Sequence, residues 1–128
     1  MSIPQKLILL VEDDKINAKL LRDFLKFKGY EIVELDNGLD VLPKLTEIKP
    51  DLILMDLRIF GRSGIDVAKD LRAIEEYKEM PIFAISALPR DRTLSENEKT
   101  LFDEYVEKPI TFEQFVPMIE AYIGKAKE

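Results

Sequence analysis

An α/β fold with a single parallel sheet is expected for this chain, on three observations. Short apolar runs of strand length alternate with segments of helical periodicity five times. Two of those runs, 51–56 and 82–86, are unbroken apolar stretches between their polar ends, Leu52 to Met55 and Ile82 to Ile85, as strands covered on both faces must be. Parallel neighbours also need a crossover of helical length, which each intervening segment supplies.

The first run, from Lys6 to Glu12, reads as a buried strand whose exit crowds Glu12, Asp13 and Asp14. Ile16, Leu20, Leu21, Phe24 and Phe27 follow at helical spacing, with Asp13 or Asp14 as N-cap and Gly29 as the stop. Glu31 to Leu35 is a second strand, and Asp36-Asn37-Gly38 is turn chemistry ahead of a helix carrying Val41, Leu42, Leu45 and Ile48. Pro43 fits that helix badly, so the helix should start late or kink. Asp51 to Asp56 is the third strand. The third helix runs from Ile65 to about Lys78, and Met80-Pro81 launches the strand Ile82 to Ser86. Arg90 to Phe102 is polar apart from Leu94, Leu101 and Phe102, so its helix should be short or mobile. Glu104 to Glu107 is the fifth strand. Thr111 and Gln114 have capping-box spacing before a helix with Phe112, Phe115, Val116, Ile119, Tyr122 and Ile123, in which Pro117 predicts a bend. Lys125 to Glu128 reads as a frayed tail.

Right-handed crossovers then favour a flavodoxin-like (βα)5 three-layer sandwich, its five-stranded sheet in the order 2-1-3-4-5. The 128 residues suit one domain, 1–128, with a core over about 6–123 and no output domain. That order brings the ends of strands one and three together. Glu12, Asp13 and Asp56 therefore converge at the sheet's carboxyl edge, with Ser86 and Lys108 on the adjoining strands.

Composition excludes several functions. There is no cysteine, so disulfide and thiolate chemistry is out, and there is no histidine, so any phosphohistidine must belong to another molecule. A net charge of −6 with scattered basic residues argues against nucleic acid or a membrane surface as partner. No apolar run reaches membrane-helix length and the start lacks the parts of a secretory signal, so a cytoplasmic location is expected.

Three carboxylates in one pocket require a cation, because at ~4 Å and an effective dielectric near 20 each like-charged pair costs about 4 kcal/mol. An all-oxygen ligand set selects a hard ion, Mg²⁺. In such a site Asp56 is a candidate nucleophile toward phosphorus, Lys108 a grip for a phosphoryl oxygen, Ser86 a hydroxyl donor to another, and Tyr105 an aromatic placed to follow the change. Taken singly, the acids read as helix caps or loop acids; together with Lys108, at separate strand ends, they read as a site.

With Leu9-Leu10-Val11-Glu12-Asp13-Asp14, Pro50-Asp51-Leu52-Ile53-Leu54-Met55-Asp56, Ser63-Gly64, Ile85-Ser86-Ala87 and Tyr105-Val106-Glu107-Lys108-Pro109-Ile110, the chain resembles a response-regulator receiver domain of the stand-alone type along nearly its whole length. The resemblance implies that Asp56 is the phosphoacceptor. It implies that Asp13 and Asp56 bind Mg²⁺ directly with the backbone carbonyl of Arg58, and Glu12 through a water. It makes Ser86 the switch hydroxyl, Lys108 the phosphate-contacting lysine, Tyr105 the switch aromatic and Lys108-Pro109 a cis peptide. It also implies a histidine kinase or phosphotransfer protein as donor, a downstream protein target, and no catalysis beyond the domain's own phosphorylation and dephosphorylation. Phe60 stands where the family usually has proline, and Leu101-Phe102-Asp103-Glu104 replaces a run of small residues. A pseudo-receiver, the same fold used without phosphorylation, is the second reading. A phosphatase of the aspartate-nucleophile type is disfavoured, since Arg58 stands where it would want a second acid.

Overall fold

The structure, a computed structural model, describes residues 5–125. Five strands, β1 (Leu7–Val11), β2 (Glu31–Leu35), β3 (Leu52–Asp56), β4 (Ile82–Ser86) and β5 (Glu104–Glu107), form one sheet in the order β2-β1-β3-β4-β5. All four pairings are parallel. The helices are α1 (Lys15–Lys28), α2 (Val41–Leu45), α3 (Gly64–Ala73), α4 (Arg90–Thr93), α5 (Glu96–Lys99) and α6 (Phe112–Ile123), with 3₁₀ turns at Gly38–Asp40 and Glu75–Tyr77.

Every residue of β3 and β4 is buried, as their unbroken apolar runs require, and the edge strands β2 and β5 are only partly covered. Alternate strand residues enter two cores. Leu9, Val11, Ile53, Met55 and Ala84 pack beneath α2 and α3, and Ile8, Leu10, Leu54, Phe83 and Ile85 beneath α1 and α6. The register sets Val11 beside Met55, Asp56 beside Ile85 and Ser86 beside Glu107. The residues just past Val11 and Glu107 therefore emerge at the same edge as Asp56. Gly64 starts α3 directly over that edge, where a Cβ would stand 2.7 Å from the Asp56 carbonyl oxygen, so only glycine lets the helix approach so closely.

Asp14, of the two acids named, caps α1, accepting the N–H groups of Ile16 and Asn17, and Gly29 ends the helix at φ 106°. Of the expected apolar set, Leu21 is buried and Phe24 partly so, but the rest of the buried face differs. Ala18, Leu21 and Leu25 are buried, whereas Ile16, Leu20 and Phe27 are 73%, 57% and 85% exposed. At about 100° per residue the two sets lie on opposite sides of the helix. Phe24 stacks on Phe112 of α6, centroids 4.0 Å apart, and this contact turns the Leu21–Leu25 side onto the sheet.

Pro43 is accommodated by a late start: a 3₁₀ turn precedes α2, so the proline falls in the first α-turn, where its missing N–H has no intrahelical role. α2 also stops at Leu45, short of Ile48. The polar stretch after β4 forms two one-turn helices, anchored by buried Leu94 and Phe102. The capping box lies here, between Ser95 and Glu98, and not at Thr111, whose side chain makes no cap bond. Pro117 sits inside α6 on its exposed side, leaving the carbonyl it cannot serve toward water. Of the tail Lys125 to Glu128, residues 126–128 lie outside the described range.

α3 ends at Ala73 instead of continuing to Lys78, with Ile74 extended. Arg72 explains the break. Its guanidinium donates to the carbonyls of Tyr77, Lys78, Met80 and Leu101 and to Asp103, whose carboxylate also accepts the Ile82 N–H. In a helix continued to Lys78 the carbonyls of Tyr77 and Lys78 would instead point along the helix axis, away from Arg72. Arg72→Ala is expected to lose about 2–3 kcal/mol, read as a lower urea midpoint at unchanged m-value, because several part-buried carbonyls lose their donor at once.

Candidate functional site

Glu12, Asp13 and Asp56 each place a carboxylate oxygen within 4.8 Å of the others. Glu12 and Asp56 are only 3% and 5% exposed, and Asp13 stands at the rim. Lys108 reaches in from the end of β5, its Nζ donating to Asp56 Oδ2 at 2.7 Å and to Glu12 Oε1 at 2.9 Å. Asp56 Oδ1 accepts the Arg58 N–H at 2.9 Å, and Asp13 Oδ2 accepts the Phe60 N–H at 3.1 Å. The pocket thus holds three carboxylates against one ammonium.

Burial and that imbalance both act on Glu12. Burial raises its pKa from 4.5 to about 7, a rise reinforced by the hydrogen bond and charge of Asp56 and opposed by Lys108. For Lys108 burial works downward, but its bonds to Asp56 and Glu12 prevail and the pKa is raised. Between about pH 4.5 and 7 folded Glu12 holds its proton more tightly than unfolded Glu12, so its contribution to stability is lost as pH rises through 7. Metal-free protein is accordingly expected to gain stability on acidification from about pH 8 to about pH 6. Urea midpoints should show this gain in the wild type and a flatter profile in Glu12→Gln.

Ser86 and Tyr105 lie beside the pocket and share a neighbour. Ser86 Oγ accepts the Leu88 N–H at 3.1 Å, and the Tyr105 hydroxyl donates to the Leu88 carbonyl at 2.7 Å. The Ser86 carbonyl in turn accepts the Lys108 N–H at 2.8 Å. The backbone of one residue, Leu88, therefore links the buried hydroxyl to the part-exposed ring. Lys108-Pro109 is cis, and Arg58 meets Asp56 through its backbone while its side chain is exposed.

The structure brings together Glu12, Asp13, Asp56 and Lys108, all anticipated from the sequence. The Phe60 N–H and Leu88 were not anticipated: both act through backbone groups, which every residue carries and no side-chain pattern reveals. The donor set fits a hard divalent cation, being entirely oxygen, partly buried and short of positive charge. An aspartate so placed, with a lysine on one oxygen and a backbone N–H on the other, can attack phosphorus once the ammonium moves to the incoming oxygens.

The family described as the response regulator receiver domain matches residues 8–120. The polar-differentiation response regulator DivK of Brucella anthropi is 35% identical over 121 residues, covering 94% of this chain and 98% of that protein. Among solved structures, a CheY-like receiver domain from Methylobacillus flagellatus superposes with a TM-score of 0.83 at 27% identity, over 93% of this chain and 99% of that one. The response regulator TrrA of Thermotoga maritima, in complex with Mg²⁺ and BeF, superposes with a TM-score of 0.81 at 30% identity, over 91% and 98%.

Proposed function

The chain belongs to the response regulator receiver domain family, and on that premise we propose that Asp56 accepts a phosphoryl group in a Mg²⁺-dependent reaction, from a histidine kinase or histidine phosphotransfer protein, and that the switched surface then binds a protein partner. The observation that carries this reading is Asp56 itself, a buried carboxylate at the end of the central strand, bonded to Lys108 and in reach of Glu12 and Asp13. Members of the family are signalling proteins. The donor must supply the histidine, because this chain has none. Among the described residues no helix is long and apolar enough to cross a membrane, and the cytoplasm is the compartment we assign.

Asp13, Asp56 and the Arg58 carbonyl would hold the Mg²⁺, with Glu12 acting through a water; the cation would neutralise charge on the phosphoryl oxygens. An Asp56 oxygen attacks phosphorus, the new O–P bond forms, and the donor's P–N bond breaks with its electrons returning to the imidazole. Lys108, already on Asp56 Oδ2, transfers its grip to a phosphoryl oxygen. Ser86 accepts the Leu88 N–H and so has its own proton to donate; turning that hydroxyl toward the phosphoryl group releases Leu88, to which Tyr105 is bonded. The signal would leave the pocket along the Leu88 backbone. Phe60, the ground for a phosphorylation-independent reading, contributes its N–H to Asp13 and leaves the acids assembled.

Incubation with Mg²⁺ and acetyl phosphate, followed by intact mass, tests the proposal. A gain of one phosphoryl group that disappears when Mg²⁺ is chelated is expected; no gain, or a gain indifferent to Mg²⁺, would refute it.

A further inference from the structure

We infer that the backbone N–H of Phe60 is a positioning group for Asp13, and that the Asn37–Gly38 turn at the edge of the sheet holds it in place. The inference rests on the reading of Asp13 as a cation ligand. Lys108 reaches Glu12 and Asp56, whereas the Asp13 carboxylate is held by the Phe60 N–H at 3.1 Å, across 47 residues of sequence. Asp13 is the exposed acid of the three, and a free side chain there would sample several rotamers. Pinning Oδ2 with an N–H leaves the other oxygen available to the pocket, the usual work of a group that orients a metal ligand.

Phe60 is itself held from the far side. Its carbonyl accepts the N–H groups of Gly38 at 2.9 Å and of Arg62 at 3.1 Å, and Asn37 and Phe60 pair as an isolated parallel bridge. The two loops run so close that a Cβ on Gly38 would stand 2.1 Å from the Arg62 carbonyl oxygen, which only glycine avoids. Asn37 is fixed in turn, accepting the Asp40 N–H and donating to the carboxylates of Asp36 and Asp40. A continuous path of contacts therefore leads from a turn that carries no chemistry, through the backbone of one residue, to the rim of the pocket. The Phe60 ring is 75% exposed and lies outside this path, so the identity of residue 60 matters chiefly through its N–H, which proline would lack.

The test is a Mg²⁺ titration of the ¹⁵N-labelled full chain, following the amide signals of Glu12 and Arg58, for wild type, Phe60→Pro and Phe60→Leu. Phe60→Pro is expected to bind Mg²⁺ more weakly by on the order of tenfold, and Phe60→Leu, which restores the N–H, to recover the wild-type affinity. If Phe60→Pro binds as tightly as wild type, or tighter, the inference is overturned while the cation site stands. A wild type without a saturable response removes both. Should Phe60→Pro fail to fold, hydrogen exchange in the wild type decides: the Phe60 amide should stay protected at saturating Mg²⁺, and loss of protection would show that the N–H leaves Asp13 when the cation arrives and would overturn the inference.

Discussion

Asp56→Asn is expected to take up no phosphoryl group under conditions that fully label the wild type. The amide oxygen is a poor nucleophile, and the substitution also removes one of the charged ligands from the pocket, so Mg²⁺ affinity should fall by at least about tenfold. Loss of labelling through unfolding is not expected. Lys108 would keep Glu12 as its partner, and the hydrogen bond and charge of Asp56 are among the causes that raise Glu12 to about 7, so the Glu12 pKa should move back toward its ordinary value of 4.5. Removing one of two adjacent buried acids relieves repulsion. The variant should therefore unfold at the same urea concentration as wild type or a higher one. Label persisting on Asp56→Asn would mean that the acceptor lies elsewhere, and peptide mapping would find it.

Lys108→Ala is expected to lose both stability and phosphorylation. The ammonium bonds both buried carboxylates, and its own side chain is only 21% exposed. Removing one partner of a buried pair costs about 3–5 kcal/mol when nothing compensates; here Glu12 can take a proton, so a loss of about 2–3 kcal/mol is expected in metal-free protein near pH 7. Mg²⁺ should restore part of it, since without the ammonium on Glu12 and Asp56 the cation binds the variant more tightly than the wild type and stabilises it by more. Urea titrations with and without Mg²⁺ would show this as a gap between variant and wild type that narrows with the cation. A gap unaffected by Mg²⁺ would mean that the lysine matters through packing rather than charge. Phosphorylation by acetyl phosphate should slow on the order of tenfold to a hundredfold, as an electrostatic clamp on the transferring group is lost.

These two experiments bear on residues that could be read before any coordinates. Asp56 and Glu12 announce themselves because each is a charged side chain closing an apolar run, where charge at the end of a buried strand has few places to go, and Lys108 because it stands just past the fifth strand at the same edge of the sheet. The same reasoning misjudged α1. Ile16, Leu20 and Phe27 are spaced as well as Ala18, Leu21 and Leu25, so periodicity alone gives two candidate faces. The choice between them is made by Phe112, which lies in a different helix and stacks on Phe24. The ends of α3 and the capping box were misplaced for a related reason. Arg72 and Asp103 act between elements distant in sequence, and Thr111 has the spacing of a cap without its bond.

From the sequence alone follow the alternation of strands and helices, the parallel order of the sheet, and the gathering of four charged side chains at its carboxyl edge. All of these rest on local patterns, an apolar run, a period or a breaker, together with the fixed handedness of crossovers. Only the tertiary structure decides which side of α1 is buried, which carbonyls beyond α3 converge on Arg72, and which peptide groups complete the pocket. The Phe60 N–H on Asp13 and the Leu88 backbone between Ser86 and Tyr105 belong to the last kind. Backbone donors and acceptors are the same at every non-proline position, so their roles are assigned by the distances the fold creates and leave no mark in the order of the residues.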